Sequence, residues 1–428
     1  RDEFVLLDTL DADVERLIRA NAPDTGDFGS VCARCVRIFE RAKANIIADA
    51  AMQKDGSHVL STPLRLDADE RFTGKGVTIA FLDSGFYGHP DLTAPNDRIV
   101  AYCDLFNPSA TREDLKRSDA SSWHGMMTSV VAAGSGSLSG GLFRGLAWQA
   151  KIVLVKVGYA HRIRHDDIRR GIEWVLEHRQ EYGINVLNIS CGGDYEESFL
   201  TDPLSRAADE ASRQGIVVVA AAGNDGHLVA HHVLPPASAP SVIAVGGLDD
   251  GGTGKHSGHY HSSYGLTIDG LQKPELIAPA IHVAAPILPD TPTAAQARLL
   301  NLLDETSDDE LSRVLGDNEG IDPDLDAIAK REPYLIRQLV GGKLHGQKVI
   351  SDHYKSVDGT SFAAPIVSSV VAQMLEANPD LKPHQCRRIL MTTARGVHGI
   401  ALERQGWGVV SPRAAVAKAL ELKEKRSS

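Results

Sequence analysis

The sequence predicts an α/β fold: a parallel sheet with helices on both faces, joined to a helical N-terminal segment and interrupted by a helical insertion. Three observations predict it. Short apolar runs rich in β-branched residues recur from Gly76 onward. Helical patterns lie between several of these runs. Two stretches, 1–74 and 286–356, carry helical patterns without them. The expected organisation is an N-terminal extension and linker over 1–74, a main α/β domain over 75–420, and the insertion 286–356 within that domain.

Taken in order, the first helical stretches are DADVERLIRAN and VCARCVRIFERAKANIIADAAM, which place apolar residues three and four apart. Residues 54–76 are rich in Asp, Gly, Ser, Thr and Pro and read as a linker. VTIAFLD (77–83), KIVLVKV (151–157), NVLNIS (185–190), IVVVAAA (216–222) and SVIAVGG (241–247) read as buried strands. HGMMTSVVAAG, DDIRRGIEWVLEHRQEYG and DPLSRAADEASRQG supply helices between them. In the insertion, TAAQARLLNLLDETSDDELSRVLG and PDLDAIAKREPYLIRQLVGG look helical, acidic and self-contained. The main pattern then resumes with the apolar helix SFAAPIVSSVVAQMLEA. In an open parallel sheet, ligands bind beyond the carboxyl ends of the strands.

Composition narrows the function. The chain has 428 residues, 43% of them hydrophobic and 24% charged, which fits a globular protein rather than a disordered one. A net charge of −11 argues against a broad nucleic-acid-binding face. No apolar run reaches the length of a membrane-spanning helix, so no membrane partner is expected. The opening residues lack the basic-then-apolar pattern of a signal peptide, and five cysteines do not make a full disulfide framework. Together these predict a cytoplasmic protein. Secretion stays open because the chain begins at Arg1 rather than Met.

Four polar residues stand at strand ends or helix starts. Asp83 ends VTIAFLD, where its carboxylate can either orient a histidine or serve the Asp-Ser-Gly turn. His124 opens the helix HGMMTSVVAAG, with Gly125 leaving room beside the ring. It can act as a general base or simply stand at a helix start. Asn224 follows IVVVAAA within GND, where its amide can donate to an oxyanion or belong to a turn. Ser361, in GTSFAAP, is either a nucleophile at a helix N-terminus or an ordinary N-cap. Pro365 is expected in the first turn of that helix, where its missing N–H is tolerated. The order Asp, His, Asn, Ser on one parallel sheet is more specific than any of the four alone.

On these motifs the chain resembles the subtilisin-like (subtilase) serine proteases from about Gly76 to Ala419, excluding 286–356. VTIAFLDSGF resembles the family's aspartate motif, HGMMTSVVAAG its histidine motif and GTSFAAPIVSSVVA its serine motif. GLAWQAKIVLVKV, NVLNISCGG, AAAGNDG, PSVIAVGG and GWGVVSPRAAV fall in the family's order. The resemblance implies a subtilisin-like fold and a serine endopeptidase, with Asp83, His124 and Ser361 as triad and Asn224 as oxyanion donor. Ser190, Cys191 and Gly192 would pair with extended peptide substrate. The wall AAAG, including Ala222 and Gly223, and the loop HHVLPP, including Leu234, would enclose a pocket for an apolar or medium-sized side chain. A protein or peptide is the implied substrate. No cofactor is required, and calcium remains open.

The chain departs from the family in having HGMM where HGT-H is usual. That departure predicts two bulky methionines near the base and restricted substrate access. Cys191 stands in SCGG where SLGG or SWGG is usual, and reads as a small buried hydrophobe in preference to a reactive thiol. The insertion and the N-terminal extension are the candidates for a regulatory partner or self-association. Outside the motifs, Cys32 and Cys35 read as two helix cysteines in preference to half of a zinc or redox site. His256, His259 and His261, with His227, His231 and His232, read as polar loops in preference to a metal site. The runner-up to an active protease is a protease-like binding or signalling module.

Overall fold

The computed structural model describes residues 4–10, 14, 15, 18, 30–32, 36, 59–159, 162–252 and 258–427. Near the N-terminus, β1 (Phe4–Leu6) pairs antiparallel with β2 (Ser30–Cys32), Val5 opposite Val31. Leu7, Val14, Ile18, Val31 and Val36 pack into a small core of their own. The expectation of an extension with helical character is corrected in part: VCARC begins as a strand, because a β-branched valine on each chain favours pairing. Most of the two expected helical stretches, with Cys35 and His256, lies outside the described residues.

The expected linker is corrected too. Thr62–Arg65 forms a helical turn that docks on the main body. The buried Arg65 guanidinium donates to Asp250 through Nε at 2.7 Å, and to the carbonyls of Ile281 at 2.6 Å and His282 at 3.0 Å. A buried cation is tolerable only when its donors are met in this way.

The main sheet contains β3 (Thr78–Asp83), β4 (Ile99–Asp104), β5 (Lys151–Lys156), then, beyond the short hairpin of β6 (Gly158–Tyr159) and β7 (Arg162–Ile163), β8 (Ile184–Ile189), β9 (Val217–Ala221) and β10 (Ile243–Asp249). The edge is completed by β11 (Gly258–His259) and, past the small pair β12 (Gly265–Leu266) and β13 (Gln272–Lys273), by β14 (Leu276–Pro279). The order is β11-β10-β9-β8-β3-β5-β4, with β14 also pairing β10. All pairs are parallel except β10 with β11. Central β3 sits between β5 and β8, with Phe81 opposite Leu154 on one side and Asn188 on the other. Every residue of β3 is buried. Its period-two alternation sends Ile79 and Phe81 to one core and Ala80 and Leu82 to the other.

Helices cover both faces. One core takes α1 (Ser122–Ala133); the other takes α2 (His165–Tyr182) and α3 (Pro203–Arg213). DPLSR starts α3 as its residue types require. Asp202 accepts from the Leu204 and Ser205 N–H groups at 3.2 and 2.7 Å, and Pro203 fills the first turn.

The insertion rises on a two-stranded stem. β15 (Val283–Pro286) pairs antiparallel with β16 (Tyr354–Val357), Val283 opposite Val357. Between them run α4 (Pro292–Glu305), α5 (Leu311–Asp317), α6 (Pro323–Ile328) and α7 (Pro333–Gly346). Thr291 and Asp322 cap α4 and α6, each followed by proline. Leu299, Leu300, Leu303, Leu311, Leu325, Ile336 and Val340 form a hydrophobic core belonging to the insertion. The chain then enters α8 (Thr360–Ala377), which is buried almost all round and packs with α1 in the first core. α9 (Pro383–Thr393) and α10 (Pro412–Ser427) complete the fold. Among the described residues, no helix is long and apolar enough to cross a membrane.

Candidate active site

Asp83 ends the central strand, as an ionisable group does when it must reach the carboxyl edge of an otherwise apolar sheet. Its carboxylate oxygens lie 2.8 and 2.9 Å from His124 Nδ1. Further donors hold it: the Ser84 N–H at 2.8 Å, the Thr128 hydroxyl at 3.2 Å and the Ser84 hydroxyl at 3.4 Å. Thr128 stands one turn along α1 from His124, so both side chains face the same way. That contact was missed in the sequence, where Thr128 reads as one more helix residue.

His124 enters its position because Gly125 has no side chain. A Cβ there would lie 2.2 Å from the Gly85 carbonyl oxygen. The imidazole sits edge-on to Trp123, ring centroids 5.2 Å apart, and 5.8 Å from the ring of Phe362. Burial pushes its pKa down, but the charge and hydrogen bond of Asp83 outweigh burial, and the net shift is upward. The methionines of HGMM do not crowd this ring. Met126 and Met127 are 0% and 5% exposed and pack in the core beneath α1. The expectation that they restrict access is corrected: one turn of helix carries them to the buried side.

Ser361 is not an N-cap. Gly359 caps the helix, with φ 140° and ψ 151°, a region open essentially to glycine alone. Thr360 begins the helix and Ser361 follows, partly exposed. Pro365 stands inside the helix rather than in its first turn, which corrects that expectation. Its missing N–H leaves the Ser361 carbonyl without an intrahelical donor. The Ser190 hydroxyl takes that role at 2.9 Å, while Ser361 Oγ donates to the Ser190 carbonyl at 3.1 Å. Asn188 Nδ2 donates to Ser190 Oγ at 3.0 Å, and Asn188 Oδ1 accepts from the Ser368 hydroxyl at 2.9 Å. The end of β8 and the start of α8 are thus stitched together by side chains.

Asn224 faces the same edge. Its Oδ1 accepts from the Thr360 N–H at 3.0 Å and from the Thr360 hydroxyl at 3.1 Å. This arrangement fixes the amide so that its NH₂ points away from Thr360. Gly223, with φ 102°, places its N–H 3.3 Å from the Thr360 hydroxyl and its carbonyl 2.9 Å from the Ser263 N–H. Thr360 therefore ties the asparagine loop to the serine helix, a role that its place in GTS does not disclose.

Beside these groups, Ser190, Cys191 and Gly192 extend from β8, and Gly192 is exposed. The Gly193 N–H donates to the Pro235 carbonyl at 2.6 Å, which joins this segment to the loop carrying Leu234. Leu234 is partly exposed, and Ala222 is buried at the end of β9, its N–H donating to Val245 at 3.0 Å. Burial pushes the Cys191 thiol well up, helped by the charge of Asp83, so the neutral form is held. The histidine loops use their rings for stacking: His231 lies 4.3 Å from Tyr264, and His261 4.1 Å from Tyr260. Among the described residues, no group of three His, Cys, Asp or Glu side chains is placed to hold a metal ion.

Comparison with known proteins sets this site in a family. Residues 74–408 match the Peptidase_S8 family, described as the subtilase family. Serine protease AprX of Bacillus subtilis is 28% identical over 371 residues, which are 84% of this chain and 70% of that protein. Fervidolysin of Fervidobacterium pennivorans is 28% identical over 81% of this chain and 41% of its own length. Its crystal structure, of a keratinolytic enzyme related to subtilisin, superposes with a TM-score of 0.57 at 23% identity over 86% of this chain and 47% of that one, which speaks for the fold. An extracellular protease of Xanthomonas campestris is 26% identical over 82% of this chain and 53% of that protein. The chain thus spans about half or less of two of these three relatives. The expectation of a cytoplasmic protein is corrected by these relatives, one of them extracellular by name, which point to secretion. The signal that misled was the composition of the first residues and the cysteine count, which report on a segment and not on a destination. With the family pattern over most of the chain and the fold in common, the chain belongs to the subtilase family and is a subtilisin-like serine endopeptidase acting on proteins or peptides.

Proposed function

We propose that Ser361 is the nucleophile, His124 the general base and Asp83 its orienting carboxylate. The observation that carries this reading is the double approach of Asp83 to His124 Nδ1, at 2.8 and 2.9 Å, on the edge where α8 presents Ser361. Asp83 leaves Nε2 as the nitrogen free to take the Ser361 proton. Ser361 Oγ attacks the scissile carbonyl, His124 receives the proton, and the tetrahedral oxyanion is held by the Asn224 amide and the Ser361 N–H. His124 then returns the proton to the leaving amine, and water releases the acyl group by the reverse route. The peptide lies along Ser190, Cys191 and Gly192 as an added strand. The side chain before the cut enters the space between these residues, Ala222, Gly223 and Leu234, whose small or apolar surfaces suit an apolar or medium-sized group. No step calls on a cofactor. Because β16 leads directly into α8, the insertion is the segment best placed to regulate the enzyme.

The test is peptide hydrolysis with mass-spectrometric mapping of cuts in a denatured protein mixture. Ser361→Ala is expected to lose about 10⁶ in turnover and labelling by a fluorophosphonate probe, with the fold intact. Asn224→Ala is expected to lose about 10²–10³. Activity in Ser361→Ala at the wild-type level would overturn the assignment. Cuts dominated by charged residues would overturn the apolar pocket.

A further inference from the structure

Asp91 is fully buried, and two distant segments meet its own at the carboxylate, which makes three. The Tyr354 hydroxyl donates to Oδ2 at 2.6 Å. The Ser137 hydroxyl donates to Oδ1 at 2.9 Å, and the Leu138 N–H reaches the same oxygen at 3.3 Å. The backbone of Asp91 is held as well: its carbonyl accepts from the Arg98 guanidinium at 2.6 Å and from the Ser135 N–H at 2.8 Å. Its N–H donates to His89 Nδ1 at 3.2 Å. A carboxylate removed from water is tolerated only where such donors replace the solvent.

What the three segments carry gives the cluster its meaning. Asp91 lies on the chain that leaves β3 and Asp83. Ser137 and Leu138 follow the end of α1, which bears His124. Tyr354 opens β16, which runs through Asp358 and Gly359 into Ser361. Tyr354 is 0% exposed, and its ring packs 5.2 Å from that of Phe143. The same strand is the return limb of the insertion. Its last residues are fixed to that subdomain by the ion pair of Lys348 with Asp358, whose other oxygen accepts from the His282 N–H at 3.0 Å. The Ser356 N–H donates to the Lys348 carbonyl at 2.8 Å.

We propose that Tyr354 and Asp91 are positioning residues for proteolysis. Their hydrogen bond sets the register of the strand entering the nucleophile against the segments that carry the aspartate and the histidine. It thereby couples the insertion to the geometry of the reacting groups. The proposal rests on Ser361 as nucleophile. It needs no contact with substrate, and a misplacement of about 1 Å in such a site can cost 10²-fold in rate.

Tyr354→Phe in the full chain keeps the ring beside Phe143 and deletes the hydroxyl. We expect kcat to fall about tenfold or more with KM changed less than about twofold. The rate of fluorophosphonate labelling of Ser361 should fall in parallel, measured where circular dichroism shows the variant folded. A role confined to stability would lower Tm and leave kcat and the labelling rate of folded molecules unchanged, and that result overturns the proposal. Asp91→Asn is expected to lose at least as much, and the double variant no more than Asp91→Asn alone. Fully additive losses would show that the two side chains do not act through one contact. Should Tyr354→Phe fail to fold, Ser137→Ala removes a donor to the same carboxylate from an exposed position. A several-fold loss of kcat there supports the proposal, and an unchanged kcat overturns it. Ser361→Ala run alongside separates the two readings: its activity would sink the nucleophile assignment, whereas its inactivity beside a wild-type Tyr354→Phe sinks this proposal alone.

Discussion

At the scale of single residues, the mechanism proposed above makes the charge state of His124 the factor that decides when the enzyme works. A general base must be neutral, and the Asp83 carboxylate holds the imidazolium against the lowering effect of burial, so protonation sets in at a pH above the ordinary imidazole value. Activity should therefore fall as the solution is acidified through that raised pKa. A profile of kcat/KM against pH is expected to show an acid limb centred above about 6.5. Asp83→Asn removes the charge that raises the value, so the limb should move to lower pH while turnover drops by about 10⁴. An acid limb that stays in place in Asp83→Asn would detach His124 from this role. The four residues of the proposed mechanism stand out in the sequence because each adjoins a strong pattern: Asp83 and Asn224 lie at or just past the ends of apolar strands, and His124 and Ser361 in the first turns of helices. Thr128, Thr360 and Asn188 were not. Their hydroxyls and amide act through partners far apart in the chain, such as the 188 and 368 pair, and nothing local to a threonine or asparagine announces a distant acceptor.

Among elements, the buried strands were the easiest to read, since five β-branched apolar runs need a sheet covered on both faces. β4, IVAYCD, was overlooked because its buried residues alternate with partly exposed ones at the edge of the sheet. The short strand pair of the N-terminal extension was overlooked because a three-residue strand is too short to show a period of two. The insertion was legible as a helical body, but not its stem: Val283–Pro286 and Tyr354–Val357 are four residues each and acquire meaning only when paired. That stem is what makes the insertion a candidate regulator. Replacing residues 290–350 with a short Gly/Ser linker keeps both stem strands and deletes the helices together with Lys348, the ion-pair partner of Asp358. We expect kcat to fall several-fold with the pattern of cleavage sites unchanged. Wild-type kinetics, stability and oligomeric state in that variant would leave the insertion a surface subdomain without influence on the site.

For the molecule as a whole, the segments that meet at Asp91 also bear on tolerance to acid. His89 is 1% exposed, and burial pushes its pKa down to about 4, more strongly than the Asp91 charge raises it. An unfolded chain takes up this proton near 6.5, whereas the native protein resists until about 4. The stability tied to a neutral His89 is thus complete above the unfolded value and is lost as pH falls through the folded one. The difference is on the order of 3 kcal/mol once both values are passed. Denaturant midpoints measured between pH 7 and 4 should fall more steeply for the wild type than for His89→Asn, which cannot bind the proton. Parallel slopes would assign the acid sensitivity to other groups. The stem of the insertion has a consequence of a different kind. Val283 and Val357 face each other across one ladder, so the two ends of the inserted chain leave the body side by side. To the rest of the polypeptide, a folded insertion counts as a tight hairpin turn. An unstructured loop pays about 0.6 kcal/mol of closure entropy for each doubling of its length. Here length can be added to or removed from the inserted helices without altering that term, provided their own core still forms. The body thus tolerates a large change of sequence at one point of its chain while keeping the same topological demand on its folding.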